Sequence, residues 1–334
     1  MHRTIVVRAG LAAALFAAWT FAPLASSSPV AESRWFKGNL HTHTINSDGD
    51  SAPDAVARWY KESRYSFLAL TDHNYFTDPQ GLNAFLAARD RFLLITGEEV
   101  TSRFETKPVH INAFRLRETI EPQFGPSIVE TIQANVDAIR GHGALPSLNH
   151  PNFGWAVTPD ELAKVRDLKL FEVYNGHPGT NDFGAGDDAP GMEAMWDHIL
   201  TAGRRTWGIA VDDAHVFKEM APRHSNPGRG WIQVRAAELT EAAVLAAVEA
   251  GDFYASTGVE LADVVRGDRR LSVRVEPRNN VKHLIEFIGP GGKKLSEASG
   301  ESGDYELKSG QAYVRARVLD SNGGMAWTQP VFAD

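Results

Sequence analysis

From Trp35 to about residue 257 the chain alternates short apolar runs with longer stretches whose apolar residues recur at helical spacing. WFKGNL, SFLAL, RFLLI, VHINAF, ALPSL, LKLFEV and RTWGIAV read as buried strands. APDAVARWYKESR, PSIVETIQANVDAIRGHG, GMEAMWDHILTAGRR and ELTEAAVLAAVEAG read as amphipathic helices. Buried strands separated by helices build parallel β/α units. So many units with such short connections favour a sheet closed on itself. The expected fold over residues 33–257 is therefore α/β and barrel-like.

After Gly258 the pattern changes. RLSVRVEP, HLIEFIGPGGKKL, YELKSG and AYVRARVLDSNGGMAWTQPVF alternate apolar and polar residues around Gly, Pro and Asn turns, with no helical run between them. Residues 258–334 are expected to form a small all-β, sandwich-like module. At the other end, Arg3 and Arg8 precede an apolar run to Leu24, and small residues follow, Ala25 and Ser27 among them. Residues 1–27 read as a secretory signal peptide. The expectation is an exported, periplasmic or extracellular protein with no membrane association after cleavage.

Composition excludes several chemistries. There is no cysteine, hence no disulfide, no thiolate-held metal and no thiol nucleophile. Asp and Glu outnumber Lys and Arg by 42 to 34, for a formal net charge of -8, which argues against coating an extended nucleic acid. No phosphate-cradling glycine loop, dinucleotide fingerprint or G-x-S-x-G elbow is present. What stands out is the 12 histidines and where they fall.

Ligand-type residues sit at or beside the ends of most expected strands. His41 and His43 follow the first, then Asp48. Asp72, His73 and Asn74 follow the second, and Glu98 and Glu99 the third. His110 lies in the fourth. Asn149 and His150 follow the fifth, Glu172 and Asn175 belong to the sixth, and Asp212, Asp213 and His215 follow the seventh. In a β/α barrel the carboxyl ends of the strands converge on one rim. In extended chain, His41 and His43 share a face and can hold one ion. Packing so many imidazoles and carboxylates together without a cation would leave unpaired polar atoms. The convergence reads as a metal site, and its mixed N/O donors suit zinc, manganese or iron.

HTHTINSDG, LTDHN, TGEEV, the His of PVHINAF, SLNHP and VDDAH resemble, in order, the motif series of the PHP (polymerase and histidinol phosphatase) superfamily. The leader, FYASTG and the ending AWTQPVF are similar to a secreted, carbaryl-hydrolase-like subgroup. The resemblance implies a distorted seven-stranded (β/α) barrel holding two or three divalent ions. By motif, His41, His43, Glu99 and Asp213 would hold one ion. Glu99, His110 and His150 would hold a second, and Asp48, His73 and His215 a third. The family's G-x-E and D-x-H patterns favour Glu99 over Glu98 and Asp213 over Asp212.

Two ions about 3.5–4 Å apart can share a water and bring its pKa towards neutrality, so a metal-bound hydroxide is the expected nucleophile. Asp72, beside His73, is expected to orient a ligand. Asn74, Asn149, Glu172, Asn175 and His177 are candidates to line the pocket, and Arg103, Lys107, Lys218 and Arg229 to receive a phosphate. The expected activity is hydrolysis of a small-molecule ester. First come phosphomonoesters, phosphodiesters or short oligonucleotides, on the family resemblance. A carboxyl ester or carbamate is the alternative, for which Phe76, Phe153, Trp155 and Phe183 would form an apolar wall. A non-catalytic binding protein is the second alternative.

Overall fold

The computed structural model describes residues 1–2, 33–186 and 188–333. Apart from Met1 and His2, the stretch read as a signal peptide lies outside the described residues. In chain order the elements run β1 (Arg34–Asn39), α1 (Pro53–Glu62), β2 (Phe67–Ala69), α2 (Gln80–Leu86), β3 (Leu93–Ile95), β4 (Gly97–Phe104), β5 (Lys107–Phe114), α3 (Ile128–Gly141), β6 (Leu145–Leu148), α4 (Pro159–Leu162), β7 (Leu170–Asn175), β8 (Gly184–Gly186), β9 (Ala189–Pro190), α5 (Met192–Thr201), β10 (Trp207–Val211), β11 (Trp231–Ala236), α6 (Glu241–Ala250) and β12 (Phe253–Ser256). Then follow β13 (Leu261–Arg266), β14 (Arg270–Val275), β15 (His283–Gly289), β16 (Lys293–Ser299), β17 (Ser302–Glu306), β18 (Tyr313–Asp320), β19 (Met325–Thr328) and β20 (Val331–Phe332). Among the described residues no α-helix occurs after α6.

The helices form where the apolar spacing put them. In α3, Ile128, Ile132, Val136 and Ile139 make one buried face, and the Ser127 hydroxyl caps the first turn by accepting from the Glu130 N–H. In α6 the Thr240 hydroxyl accepts from Ala243, and Gly251, at φ 78°, ends the helix in the left-handed conformation that glycine adopts without strain.

Two sheets carry these helices. One runs β10-β7-β6-β5-β4; the other contains ten strands, running β16-β15-β18-β19-β12-β11-β1-β2-β3 with β20 beside β18. The two edge strands of the first sheet, β10 and β4, meet the second beyond the ends of β1 and β2 through isolated parallel bridges, Thr42 with Ala214 and His73 with Glu99. Both bridges lie among the candidate site residues.

The strands are not all parallel. β1 with β2, β2 with β3, β6 with β7 and β7 with β10 are parallel. β4 with β5 and β5 with β6 are antiparallel. The reason is local: only Glu105 and Thr106 separate β4 from β5, and Glu105 turns the chain at φ 54°. A two-residue link closes a hairpin and cannot make a crossover. β11 and β12 add antiparallel to β1 and lead through β19 into the tail strands.

The tail is tied to the helical layer by buried charge. Arg315 of β18, fully buried, donates to Asp197 of α5 from Nε at 2.8 Å and Nη2 at 2.6 Å. It also meets Glu193 at 2.8 Å, and Tyr313 donates to Asp197 at 3.0 Å.

Candidate metal centre

The strand ends bring nine residues into one cluster: His41, His43, Asp48, His73, Glu99, His110, His150, Asp213 and His215. Their donor atoms fall into four overlapping groups. These are His43 with Asp48, His73 and His215; His41 with His43 and Glu99; His41 with His150 and Asp213; and His73 with Glu99 and His110. His150 thus groups with His41 and Asp213, and His73 with Glu99 and His110, so the donors around Glu99 are shared differently from the motif-based partition.

At the centre, His41 Nε2 and His43 Nε2 are 3.1 Å apart. Each is 3.2 Å from Asp213 Oδ1, and they lie 3.4 and 3.3 Å from Glu99 Oε2. His110 and His150 approach the other Glu99 oxygen at 3.1 and 3.4 Å. The outer group is more open: Asp48 is about half exposed, 3.3 Å from His215 and 3.6 Å from His73. Gly49 lets this loop lie on the backbone of His43, since a Cβ there would come within 2.7 Å of the His43 carbonyl.

Four of the imidazoles are held in the same sense. The Nδ1–H of His41 donates to Glu172 Oε1 at 2.7 Å, and that of His43 to the Ser47 hydroxyl at 3.3 Å. His73 donates to the Thr101 hydroxyl at 2.5 Å, and His215 to the Asp213 carbonyl at 2.9 Å. A neutral ring that donates through Nδ1 keeps a lone pair on Nε2. In His41, His43 and His215 those partners direct Nε2 towards the cluster, while the His73 Nδ1 held by Thr101 also lies 3.0 Å from Glu99 Oε2 and its Nε2 faces Asp48.

The residues fit a cation on two further grounds. Glu99 Oε2 is buried and has no hydrogen-bond partner among the described residues, although nitrogens surround it. The charge balance also calls for positive charge. Burial favours a neutral His41, yet Asp213, Glu99 and Glu172 raise its pKa well above the ordinary value. Burial likewise opposes ionisation of Glu99, and His73, His41 and His110 outweigh it, so its carboxyl stays well below the usual range. The carboxylates require either protonated imidazoles or divalent ions among them.

The neighbouring acids are separated cleanly. Glu98 points away from the cluster and accepts from the Ile120 N–H at 2.9 Å, while burial pushes its pKa up to about 7. Asp212 accepts from Tyr60 OH and from the backbone N–H groups of Arg229 and Gly230. Asp213 stands at φ 49°, a left-handed conformation that costs about 1–3 kcal/mol and turns its carboxylate into the site. Asp72 accepts from Thr44 and Thr77, and from Ser47 at 2.9 Å. It therefore reaches His43 through Ser47.

The other candidates divide. Asn149 donates to Glu99 at 2.8 Å. Glu172 also accepts from the His150 N–H and from Asn175, which donates in turn to Asp213 at 3.1 Å. Asn74 is bonded to the Thr101 backbone, away from the cavity. Arg103 and Lys218 are exposed, and neither they nor Lys107 line the cavity. Phe76 packs on the main core. Ser47 and Thr101 escaped sequence reasoning as ring-holding residues; Thr101 lies two residues beyond Glu99 on the same strand face, which is the signal that would have found it.

Above the cluster is a cavity of about 260 Å³ lined by seven of the nine cluster residues, all but His41 and His43, with Phe153, His177 and Thr180 completing the wall. Among the described residues no lysine or arginine lines it. A second cavity of about 380 Å³ also has His177 and Thr180 in its wall, with Pro178, Phe183, Pro222 and Arg229. The Arg229 guanidinium is engaged by the carbonyls of Gly176 and Ala221.

No family model matches the sequence, and no curated protein does. The chain shares its fold with a two-domain protein of Bacteroides vulgatus described as containing a predicted PHP-like metal-dependent phosphoesterase. That match has 16% identity and a TM-score of 0.51 and covers 89% of this chain and 95% of the other. A protein of Bifidobacterium adolescentis, provisionally assigned as a metal-dependent phosphoesterase, matches at 14% identity with a TM-score of 0.40, over 53% of this chain and 87% of its own. An amidohydrolase of Chromobacterium violaceum matches at 14% identity with a TM-score of 0.39, over 57% of this chain and 93% of its own.

Proposed function

We propose that the chain is a metal-dependent hydrolase of the PHP superfamily that cleaves small esters, phosphate esters first among them. The observation that carries this reading is the convergence of His41, His43, Glu99 and Asp213, each imidazole with its Nδ1 proton turned outward. Residues 33–257 are read as a distorted seven-stranded barrel and 258–334 as a β module, with the two parallel bridges as support for closure.

His41, His43, Glu99 and Asp213 would hold one divalent ion. Glu99 and His110 with His150 or His73 would hold a second, and Asp48, His73 and His215 a third. Zinc, manganese or iron suits these donors. When bound, such ions supply a Lewis acid and lower the pKa of a coordinated water. The protein's part is to hold the ligands: Glu172, Ser47, Thr101 and the Asp213 carbonyl fix ring orientation, and Asn149 and Asn175 steady Glu99 and Asp213. With no Lys or Arg among the described residues of the cavity wall, the negative oxygens of a phosphate would have to be met by the ions.

The same absence, with Phe153 in the wall, favours the second reading, a carboxyl-ester or carbamate hydrolase. A panel separates the readings: p-nitrophenyl phosphate, bis-p-nitrophenyl phosphate, p-nitrophenyl acetate and a naphthyl carbamate, each with metal stripped and restored. Turnover of phosphates on restoration supports the first. Turnover confined to the acetate or carbamate replaces it with the second, and no turnover of any substrate contradicts both.

A further inference from the structure

His177 belongs to neither the ligand cluster nor its supports. The Gly179 N–H donates to its Nδ1 at 3.1 Å, and its own backbone N–H donates to Asn175 Oδ1 at 2.8 Å. An Nδ1 that accepts carries no proton, so the neutral ring carries its proton on Nε2. That is the reverse of the tautomer of His41, His43, His73 and His215. Nε2 has no protein partner among the described residues, and the ring stands 5.6 Å from the His215 ring and 6.2 Å from the Phe153 ring.

The placement gives this donor a use. A reacting centre must sit over the ligand cluster, in the 260 Å³ cavity. The rest of a larger substrate must extend elsewhere. His177 and Thr180 are common to that cavity and the neighbouring one of 380 Å³, whose wall sets Tyr174, Pro178, Phe183 and Pro222 beside Asp182 and Arg229. A substrate lying across both has its scissile bond near His177.

We propose that His177 is a catalytic residue whose Nε2–H donates a hydrogen bond to the leaving-group oxygen, with an apolar leaving group seated in the second cavity. The inference rests on the hydrolase reading. As water adds to the reacting centre and the bond to the leaving oxygen breaks, the bonding pair remains on that oxygen, where the Nε2–H stabilises it. The attacking water gives up one proton to solvent, and the departing alkoxide or phenoxide takes one up from solvent to leave as the alcohol or phenol. Such a donor matters most for poor leaving groups, which carry the most charge in the transition state.

Three measurements on wild type, His177→Ala and His177→Gln test this. Elemental analysis should find the same metal content in all three, because His177 is not a ligand; loss of an ion in both variants overturns the assignment. Nitrogen NMR of histidine-labelled wild type, assigned by the signal missing from the variants, should show the Nε2–H tautomer; an Nδ1–H tautomer overturns it. Across an ester series of rising leaving-group pKa, His177→Ala should lose on the order of 100-fold in kcat/KM for the poorest leaving group and far less for dinitrophenyl, with partial recovery in His177→Gln. Equal losses along the series overturn the inference alone. A wild type that turns over none of the series overturns the hydrolase reading and this inference with it.

Discussion

Glu172 Oε1 lies 2.7 Å from His41 Nδ1, both side chains wholly buried, and its other oxygen accepts from the His150 backbone. One carboxylate thus orients the His41 ring and holds the backbone of His150 without entering any of the ligand groups. Glu172→Gln keeps the shape but can present an N–H where His41 needs an acceptor. Metal affinity, measured by chelator competition, should fall by about 10–100-fold with the fold retained. Unchanged affinity would remove Glu172 from the site's support.

The paired acids make opposite predictions for adjacent residues. Glu99→Gln and Asp213→Asn should lose bound metal, whereas Glu98→Gln and Asp212→Asn should keep it. Asp212→Asn should instead cost stability, roughly 1–3 kcal/mol, because Tyr60 and two backbone N–H groups depend on its carboxylate. Elemental analysis and thermal melts of the four variants check this.

Much of the site was legible because strand ends carry it. His41 and His43 on one extended face, and acids or histidines in or after six other runs, needed only the β/α alternation to bring them together. The choices between Glu98 and Glu99 and between Asp212 and Asp213 rested on motif resemblance. Spacing alone could not make the second choice, since the left-handed turn at Asp213 breaks the alternation of a strand. The holding partners were harder to see. Ser47 and Thr101 are ordinary polar residues until the rings they orient are placed beside them. The all-parallel expectation failed at β4 and β5 because a two-residue turn was hidden in an apparently continuous polar stretch. The fusion of the tail strands with the sheet of β1 depends on long-range pairing, Tyr254 with Thr328 for example, which no local pattern encodes.

The tail should be energetically coupled to the helical layer through Arg315. Arg315→Met leaves Asp197 buried with its main partner gone, and loss of one member of a buried pair costs about 3–5 kcal/mol. Denaturant titration should show that loss; a change below about 1 kcal/mol would mean that packing alone holds the two layers.

The same network predicts an acid-sensitive contribution. Burial raises the cost of ionising Glu193, but Arg315 and Arg317 outweigh it and hold its pKa below the ordinary value of 4.5. A depressed carboxyl contributes stability above its unfolded pKa and loses it as pH falls through the folded pKa. The Tm difference between wild type and Glu193→Gln should be full at neutral pH and shrink below about pH 4.5. A difference that grows on acidification would contradict the ion-pair account.

The most direct test of the metal centre is the divalent metal content of the native protein, purified without chelator, beside that of His41→Ala/His43→Ala. The account predicts at least one tightly held transition-metal ion per chain in the native protein and its loss in the variant, with both proteins folded. A native protein that carries no such ion and takes up none from added zinc, manganese or iron would contradict it.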